Sequence, residues 1–324
     1  MLRVGLLLGG VALIFILLWR LGPSEILGEL GRVGWYIGPV MLLGAAHHAT
    51  RALALRACIL RPGVLRYRDV LAIRLSGEAI QSLTFTGPAL AEPTKAWLLE
   101  SRGLTLKEGF ASTLTEYLIY AFVSAAMAIA GLLYLVWRFD PSPPVTTTAF
   151  TVVILCAAFL LASAIAIASR FYLIGTVISW LARVRILRGR LAPDMAWINR
   201  MEDLLLAVLH DSPARFASIV ALEVAAQALL VFESLLILRA LDVMASVWLA
   251  FVIDASVKVF EFAFVFIPLR LGVSEGAYAA VLGVMGLPAT TGFALAFVRR
   301  ARGLTVASVG LALLALLTRT RNPP

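Results

Sequence analysis

Long apolar runs separated by short polar stretches set the pattern of this chain, and their period is helical rather than alternating. Residues 4–19 form the first run, with Arg3 before it, Trp19-Arg20 after it and no small-residue cleavage site, so an uncleaved first span is expected. Residues 20–34 are mixed and amphipathic and are expected at the interface; a second span covers 35–57. The stretch that follows carries Arg56, Arg61, Arg66 and Arg68, which argues for the cytoplasmic side. Residues 70–103 hold two short apolar arms interrupted by Gly87-Pro88 and again by Pro93, so a non-helical middle is predicted. Broken backbone at membrane depth must be buried in protein or line a cavity, which favours a re-entrant hairpin over two full crossings, the alternative. Long helices are predicted at 107–137, 148–168, 214–240 and 289–318. A turn containing Asp140-Pro-Ser-Pro-Pro144 joins the first two, and a second interrupted element, 247–287, breaks at Pro268 to Gly272.

One stretch appears twice. Glu78 and Glu92 recur as Glu261 and Glu275, each 183 residues on, and Ala96, Leu99, Gly103-Leu104 and Gly109-Phe110-Ala111 recur as Ala279, Leu282, Gly286-Leu287 and Gly292-Phe293-Ala294. Arg74 lands one residue from Lys258, so each copy has a cation about one turn before its first glutamate. Apolar sequence produces chance Ala and Leu matches freely, but not paired glutamates, because charge in a membrane is costly. The expected organisation is a single integral membrane domain: one half over about 35–137, an amphipathic basic segment over about 170–213 and a second half over about 214–318. Crossings then number about six, both termini lie in the cytoplasm, and the two hairpins enter from opposite sides. The halves are therefore inverted, as in many transporters.

Composition agrees with this picture. The 324 residues are 61% hydrophobic and 15% charged, with a mean hydropathy of +0.94, too apolar for a soluble domain. The net charge of +9 is better read as loop arginines on the cytoplasmic side than as a nucleic-acid surface, and no nucleic-acid partner is expected. Much of it lies in Arg170, Arg183, Arg185, Arg188, Arg190, Arg200 and Arg215; within that segment Phe171, Ile174, Ile178, Trp180 and Leu181 suggest a helix lying on the membrane surface. Cys58 and Cys156 have no paired spacing, the three histidines form no ligand cluster, and no Walker loop, GxSxG or HExxH occurs. Neither metal nor cofactor is expected.

The candidate chemistry is the charge inside the apolar stretches. Arg51, Arg74, Glu78, Glu92, Lys95, Glu116, Glu223, Glu233, Asp254, Lys258, Glu261, Glu275, Arg299 and Arg300 all fall there. Each costs about 2.5–3.5 kcal/mol at a helix centre, so pairing is required. Arg74 with Glu78, Asp254 with Lys258, and Lys258 with Glu261 lie one turn apart. The repeated Glu78, Glu92, Glu261 and Glu275, with Arg74, Lys95 and Lys258, are the expected substrate-binding residues. Glu116 corresponds to Arg299 under the same spacing, so these two, with Arg300, are a candidate gate-like ion pair. His47 and His48 could couple protons, although such histidines more often hydrogen-bond between helices.

Three short elements carry a family resemblance: Gly87-x-x-x-x-Glu92-Pro93-x-Lys95, Arg102-Gly103-Leu104 before a long helix, and Pro268-x-x-x-Gly272-Val273-x-Glu275-Gly276. They resemble the lysylphosphatidylglycerol synthase transmembrane-region, or flippase-like, family. Glu92 and Lys95 match its first-half motif, Gly272 and Glu275 its second, and Arg299 or Arg300 its arginine-bearing helix; Ala91 departs from the glycine common before the glutamate. The resemblance implies re-entrant helices and movement of lipids between leaflets of the bacterial-type inner membrane. It implies as lipid an anionic or aminoacylated phospholipid, a hopanoid or a glycolipid. No soluble aminoacyl-transferase domain is expected, since the sequence ends at Pro324, and a separate lipid synthase is a candidate partner.

The sequence thus reads as an all-α polytopic membrane protein that translocates a polar-headgroup lipid through a groove between two hairpins, without catalysis. Two rivals remain at this level: an intramembrane enzyme on a lipid or polyprenyl substrate, and a non-catalytic partner of a lipid synthase.

Overall fold

The computed structural model describes residues 31–319 apart from 32, 170–171, 184–193, 211, 266 and 271. The expected first span, 4–19, and the interfacial stretch up to residue 30 lie outside the described residues. Eleven α-helices and no strand occur among the described residues. They are α1 (Ile37–Cys58), α2 (Tyr67–Leu83), α3 (Pro88–Glu100), α4 (Leu106–Phe139), α5 (Pro143–Ala168), α6 (Leu173–Arg183), α7 (Met195–His210), α8 (Pro213–Ala240), α9 (Val247–Ala263), α10 (Val273–Val284) and α11 (Ala289–Arg319). This is the fold of a polytopic membrane protein. Helices α4, α5, α8 and α11 are long and apolar enough to cross a bilayer.

Local chemistry accounts for the ends of these helices. The Thr105 hydroxyl accepts from the Glu108 amide while the Glu108 carboxylate accepts from the Thr105 amide at 2.8 Å, a capping box that starts α4. Pro143 and Pro213 occupy the first turns of α5 and α8, where no amide donor is needed. Ser212 and Ser246 side chains accept from Arg215 and Leu249 amides to cap α8 and α9. Helices α2, α3, α9 and α10 have 17, 13, 17 and 12 residues. At about 1.5 Å per residue none reaches the roughly 30 Å of a hydrocarbon core.

Pro93 corrects one expectation. It does not interrupt the element but sits inside α3, and the break is confined to residues 84–87. As the sixth residue of the helix it withdraws one donor from the Ala89 carbonyl, while the Thr94 hydroxyl donates to the Leu90 carbonyl at 2.8 Å. Helix continues to Glu100 despite the missing bond.

The broadest interfaces join α1 to α8, α2 to α11 and α4 to α9, and α3 and α10 pack on α4 and α11. Two of these contacts are 183 residues apart. Gly109 of α4 lies so close to α3 that a Cβ there would be 2.8 Å from the Ala96 carbonyl. Gly292 of α11 approaches α10 likewise, with a built Cβ 2.6 Å from the Ala279 amide. Gly103 and Gly286, also 183 apart, both take positive φ at the turns before α4 and α11.

Helix α5 packs on α4 and buries Ala149 alone among its described residues. Within the basic segment, α6 is tied to α7 by the Tyr172 hydroxyl donating to Asp203 at 2.6 Å and the Gly175 amide donating to Glu202 at 2.9 Å. The Asp203 carboxylate raises the Tyr172 phenol above its ordinary range. Trp197, Met201 and Leu205 of α7 then pack on Phe110 and Ala111 of α4.

Candidate functional site

The two breaks meet. Gly87, at φ +50°, precedes α3, and a Cβ on it would stand 3.0 Å from the Val265 carbonyl in the second break. That conformation and that approach both require glycine. In the second break Leu269 and Arg270 take φ of 49° and 50°, left-handed values costing about 1–2 kcal/mol per non-glycine residue. Packing holds the turn, since Leu269 sits among Ala79, Leu83, Ala307 and Leu311 of α2 and α11. The strained turn carries Arg270 to Glu261 of α9, at 3.4 Å.

Beside this junction is a cavity of about 160 Å³, lined from α1, α2, α4, α8, α9, α10, α11 and the second break. Such a volume is well above the ~10–15 Å³ that a single water needs. Gln81 and Ser82 line it from the first interrupted element, Ile267 and Arg270 from the second.

In and behind its wall, charge is paired in two clusters. In the first, Glu116 is fully buried and meets Arg51 at 2.5 Å, Arg74 at 3.5 Å and Lys95 at 3.6 Å. These three bases hold further acids, Arg51 reaching Glu223 at 3.3 Å, Arg74 Glu78 at 3.0 Å and Lys95 Glu92 at 2.8 Å. In the second, Arg299 meets Asp254 at 3.0 Å and Glu233 at 3.7 Å and donates to the Leu230 carbonyl and the Tyr278 hydroxyl. Around it Arg302 pairs with Glu233 at 3.0 Å, Arg300 with Glu275, and Glu261 with Arg270 at 3.4 Å and Lys258 at 3.9 Å. An acid among bases in the first half thus stands where the second half has a base among acids.

The sixteen side chains just named comprise eight bases and eight acids, so the network as a whole is neutral. Its cavity wall is not. Arg51, Lys258, Arg270, Arg299, Arg300 and Arg302 line the cavity, against Glu78, Asp254 and Glu261. Glu116, Glu223, Glu233 and Glu275 hold cations of the lining from outside it, which leaves an excess of three positive charges at the wall. An anion is the ligand such a surface attracts most.

Of the expected substrate-binding and gate residues, Glu78, Lys258, Glu261, Arg299 and Arg300 line the cavity. Arg74, Glu92, Lys95, Glu116 and Glu275 belong to the paired clusters and not to the lining. Glu116 and Arg299 lie in different clusters and are not paired with one another. Asp254, expected beside Lys258, turns instead to Arg299. Arg51, Tyr120, Arg270, Tyr278 and Arg302 are lining residues that the sequence-based site set omitted. Position inside a break could have marked Arg270. Arg302 lies one turn beyond Arg299 on the same helix, and Tyr120 lies under Arg51 at 3.9 Å, a contact no spacing reveals. No group of three or more His, Cys, Asp or Glu suited to a metal ion occurs among the described residues.

Helices of membrane-spanning length enclosing a neutralised ion network define an integral membrane protein with a polar interior. The chain belongs to the lysylphosphatidylglycerol synthase TM region family, whose profile matches residues 2–310. No curated protein and no solved structure matches it. Membership ties the chain to membrane lipids at the level of the family.

Proposed function

We propose that this protein moves a polar-headgroup lipid between the leaflets of the cytoplasmic membrane. The headgroup passes through the cavity where the two breaks meet, and the acyl tails stay in the bilayer. The observation that carries this reading is the cavity itself: contributed to by both interrupted elements, lined by six cations against three acids, and backed by a neutral ion network. Each lining cation has an acid partner, but half of the six are held by acids that lie outside the lining, so the face toward the open volume is cationic. The excess favours a headgroup bearing phosphate over a hopanoid or a neutral glycolipid, and it accommodates an aminoacylated phospholipid through its phosphate.

In this reading α2–α3 and α9–α10 are re-entrant hairpins, each too short to span. The halves α1–α4 and α8–α11 are an inverted repeat, supported by the reciprocal pairing of α2 with α11 and α9 with α4. Both termini are cytoplasmic. No bond is made or broken, and a separate synthase would supply or consume the lipid.

The test uses purified protein in liposomes carrying fluorescent anionic, zwitterionic or aminoacylated phospholipid, scored by access of an external quencher. Wild type is expected to expose inner-leaflet anionic lipid, and the triple variant Lys258→Gln, Arg270→Gln, Glu261→Gln, which removes Glu261 together with both of its cations, to do so several-fold more slowly. A well-folded wild type that moves no lipid of any class overturns the reading.

A further inference from the structure

Two adjacent histidines on α1 face the cavity and are held differently. His47 Nδ1 lies 2.9 Å from the Ala226 carbonyl of α8, so it donates there and its ring serves as a helix tie. His48 is as deeply buried, 6% exposed, and its Nδ1 has no hydrogen-bond partner among the protein groups. The two rings meet edge-to-face at 5.0 Å. A buried polar atom without a partner is costly, and the cost is tolerated where the atom has work in another state.

The charges around His48 show what that state is. From α1 comes Arg51, from α2 Arg74 and Glu78, and from α11 Arg302. The acids of the packed helices are already engaged: Glu78 by Arg74, Glu116 of α4 by Arg51 and Arg74, and Glu223 and Glu233 of α8 by Arg51 and Arg302. His48 therefore faces cations whose counter-charges are spoken for, and adding a proton would add one more positive charge. A phosphodiester entering the cavity reverses this. It supplies the missing negative charge and an acceptor for an N–H at Nδ1.

We infer that the cavity takes up a phosphodiester headgroup together with one proton, and that His48 is the proton's site. On binding, Nδ1 gains a proton from water on the side to which the cavity is open, forming an N–H bond aimed at the phosphate. On release of the headgroup the same bond breaks and the proton leaves with it. Anion and proton then cross as a neutral pair, and a pH gradient can drive the lipid. This rests on the proposed translocation for its purpose, but the binding step is tested without it.

Proton uptake is measured by isothermal titration in buffers of different ionisation enthalpy, with dimethyl phosphate and with dihexanoyl phosphatidylglycerol as probes. Neither phosphodiester titrates near neutrality, so any proton taken up goes to the protein. Wild type is expected to take up about one proton per ligand, and its affinity to fall by up to about tenfold per pH unit as pH rises through the neutral range. His48→Gln should bind without uptake and with a flat profile. His48→Arg, which carries the charge permanently, should also bind without uptake and keeps the test open if the glutamine variant fails to fold. Tighter binding of the lipid than of dimethyl phosphate, with the proton, assigns the site to a lipid headgroup; equal binding with the proton assigns it to a free phosphodiester. Binding without uptake, unchanged uptake in the histidine variants, or no binding of either probe overturns the inference. Proton-linked binding in a protein that moves no lipid in vesicles would sink the translocator and leave this site standing.

Discussion

Replacing Arg51 by methionine leaves Glu116 with Arg74 and Lys95, both at least 3.5 Å away, and takes from Glu223 its ion-pair partner. Breaking a buried pair from one side costs about 3–5 kcal/mol, because an uncompensated charge stays behind. Thermal unfolding in detergent should accordingly fall well below wild type for Arg51→Met, and the added change Glu223→Gln should recover part of the loss. The exchange Glu116→Arg with Arg299→Glu is expected to restore neither folding nor transport. It would set an arginine among three bases and a glutamate beside Asp254 and Glu233, and recovery of transport in the double variant would contradict the two-cluster arrangement. At this scale the sequence was informative about which side chains matter, since charge in an apolar stretch is rare. It was less so about partners. Arg74 with Glu78 was legible because both lie on one helix a turn apart, whereas Arg51 with Glu116 joins residues from separate helices and depends on how those helices pack.

Among the elements, glycine positions separate close packing from mere composition. A Cβ on Gly292 would meet the α10 backbone at 2.6 Å, and one on Gly310 would run into the Leu75 carbonyl of α2. Gly292→Val and Gly310→Val should each cost about 1–3 kcal/mol by forcing helices apart. Gly276 meets nothing within 4 Å in the interior of α10, so Gly276→Ala should be neutral or stabilise by up to about 1 kcal/mol. Thermal stability of the three variants checks this, and equal losses at all three would contradict it. The long helices were legible from hydropathy, with α4, α5, α8 and α11 ending within a few residues of the expected bounds. Pro93 was misread because the packing of α3 on α2 and α4 holds the helix through the missing bond, and packing is not marked in the sequence. The short arms around the breaks predict sidedness: single cysteines at Arg66 and Arg102 should label from one face and at Asp242 and Gly286 from the other. Labelling of Arg66 and Arg102 from opposite faces would mean that α2–α3 crosses the membrane.

For the whole molecule, eight bases against eight acids let the interior stay charged in a low-dielectric setting, and the uneven distribution of those charges makes one cavity wall positive. That asymmetry was not legible in the sequence, where Glu223 and Glu233 share one helix and Arg299, Arg300 and Arg302 another, and only folding decides which face the open volume. The family and the membrane class were legible, because short motifs and hydropathy survive without tertiary detail. The central claim is that headgroups pass through this cavity, and filling it without disturbing any ion pair tests that most directly. Ser82→Trp puts a bulky ring at the lining from the end of α2. Measured in liposomes by quencher access to fluorescent phosphatidylglycerol, the variant should retain wild-type thermal stability to within about 3 °C and translocate at least tenfold more slowly. Wild-type rates in a protein whose cavity is filled would contradict the account.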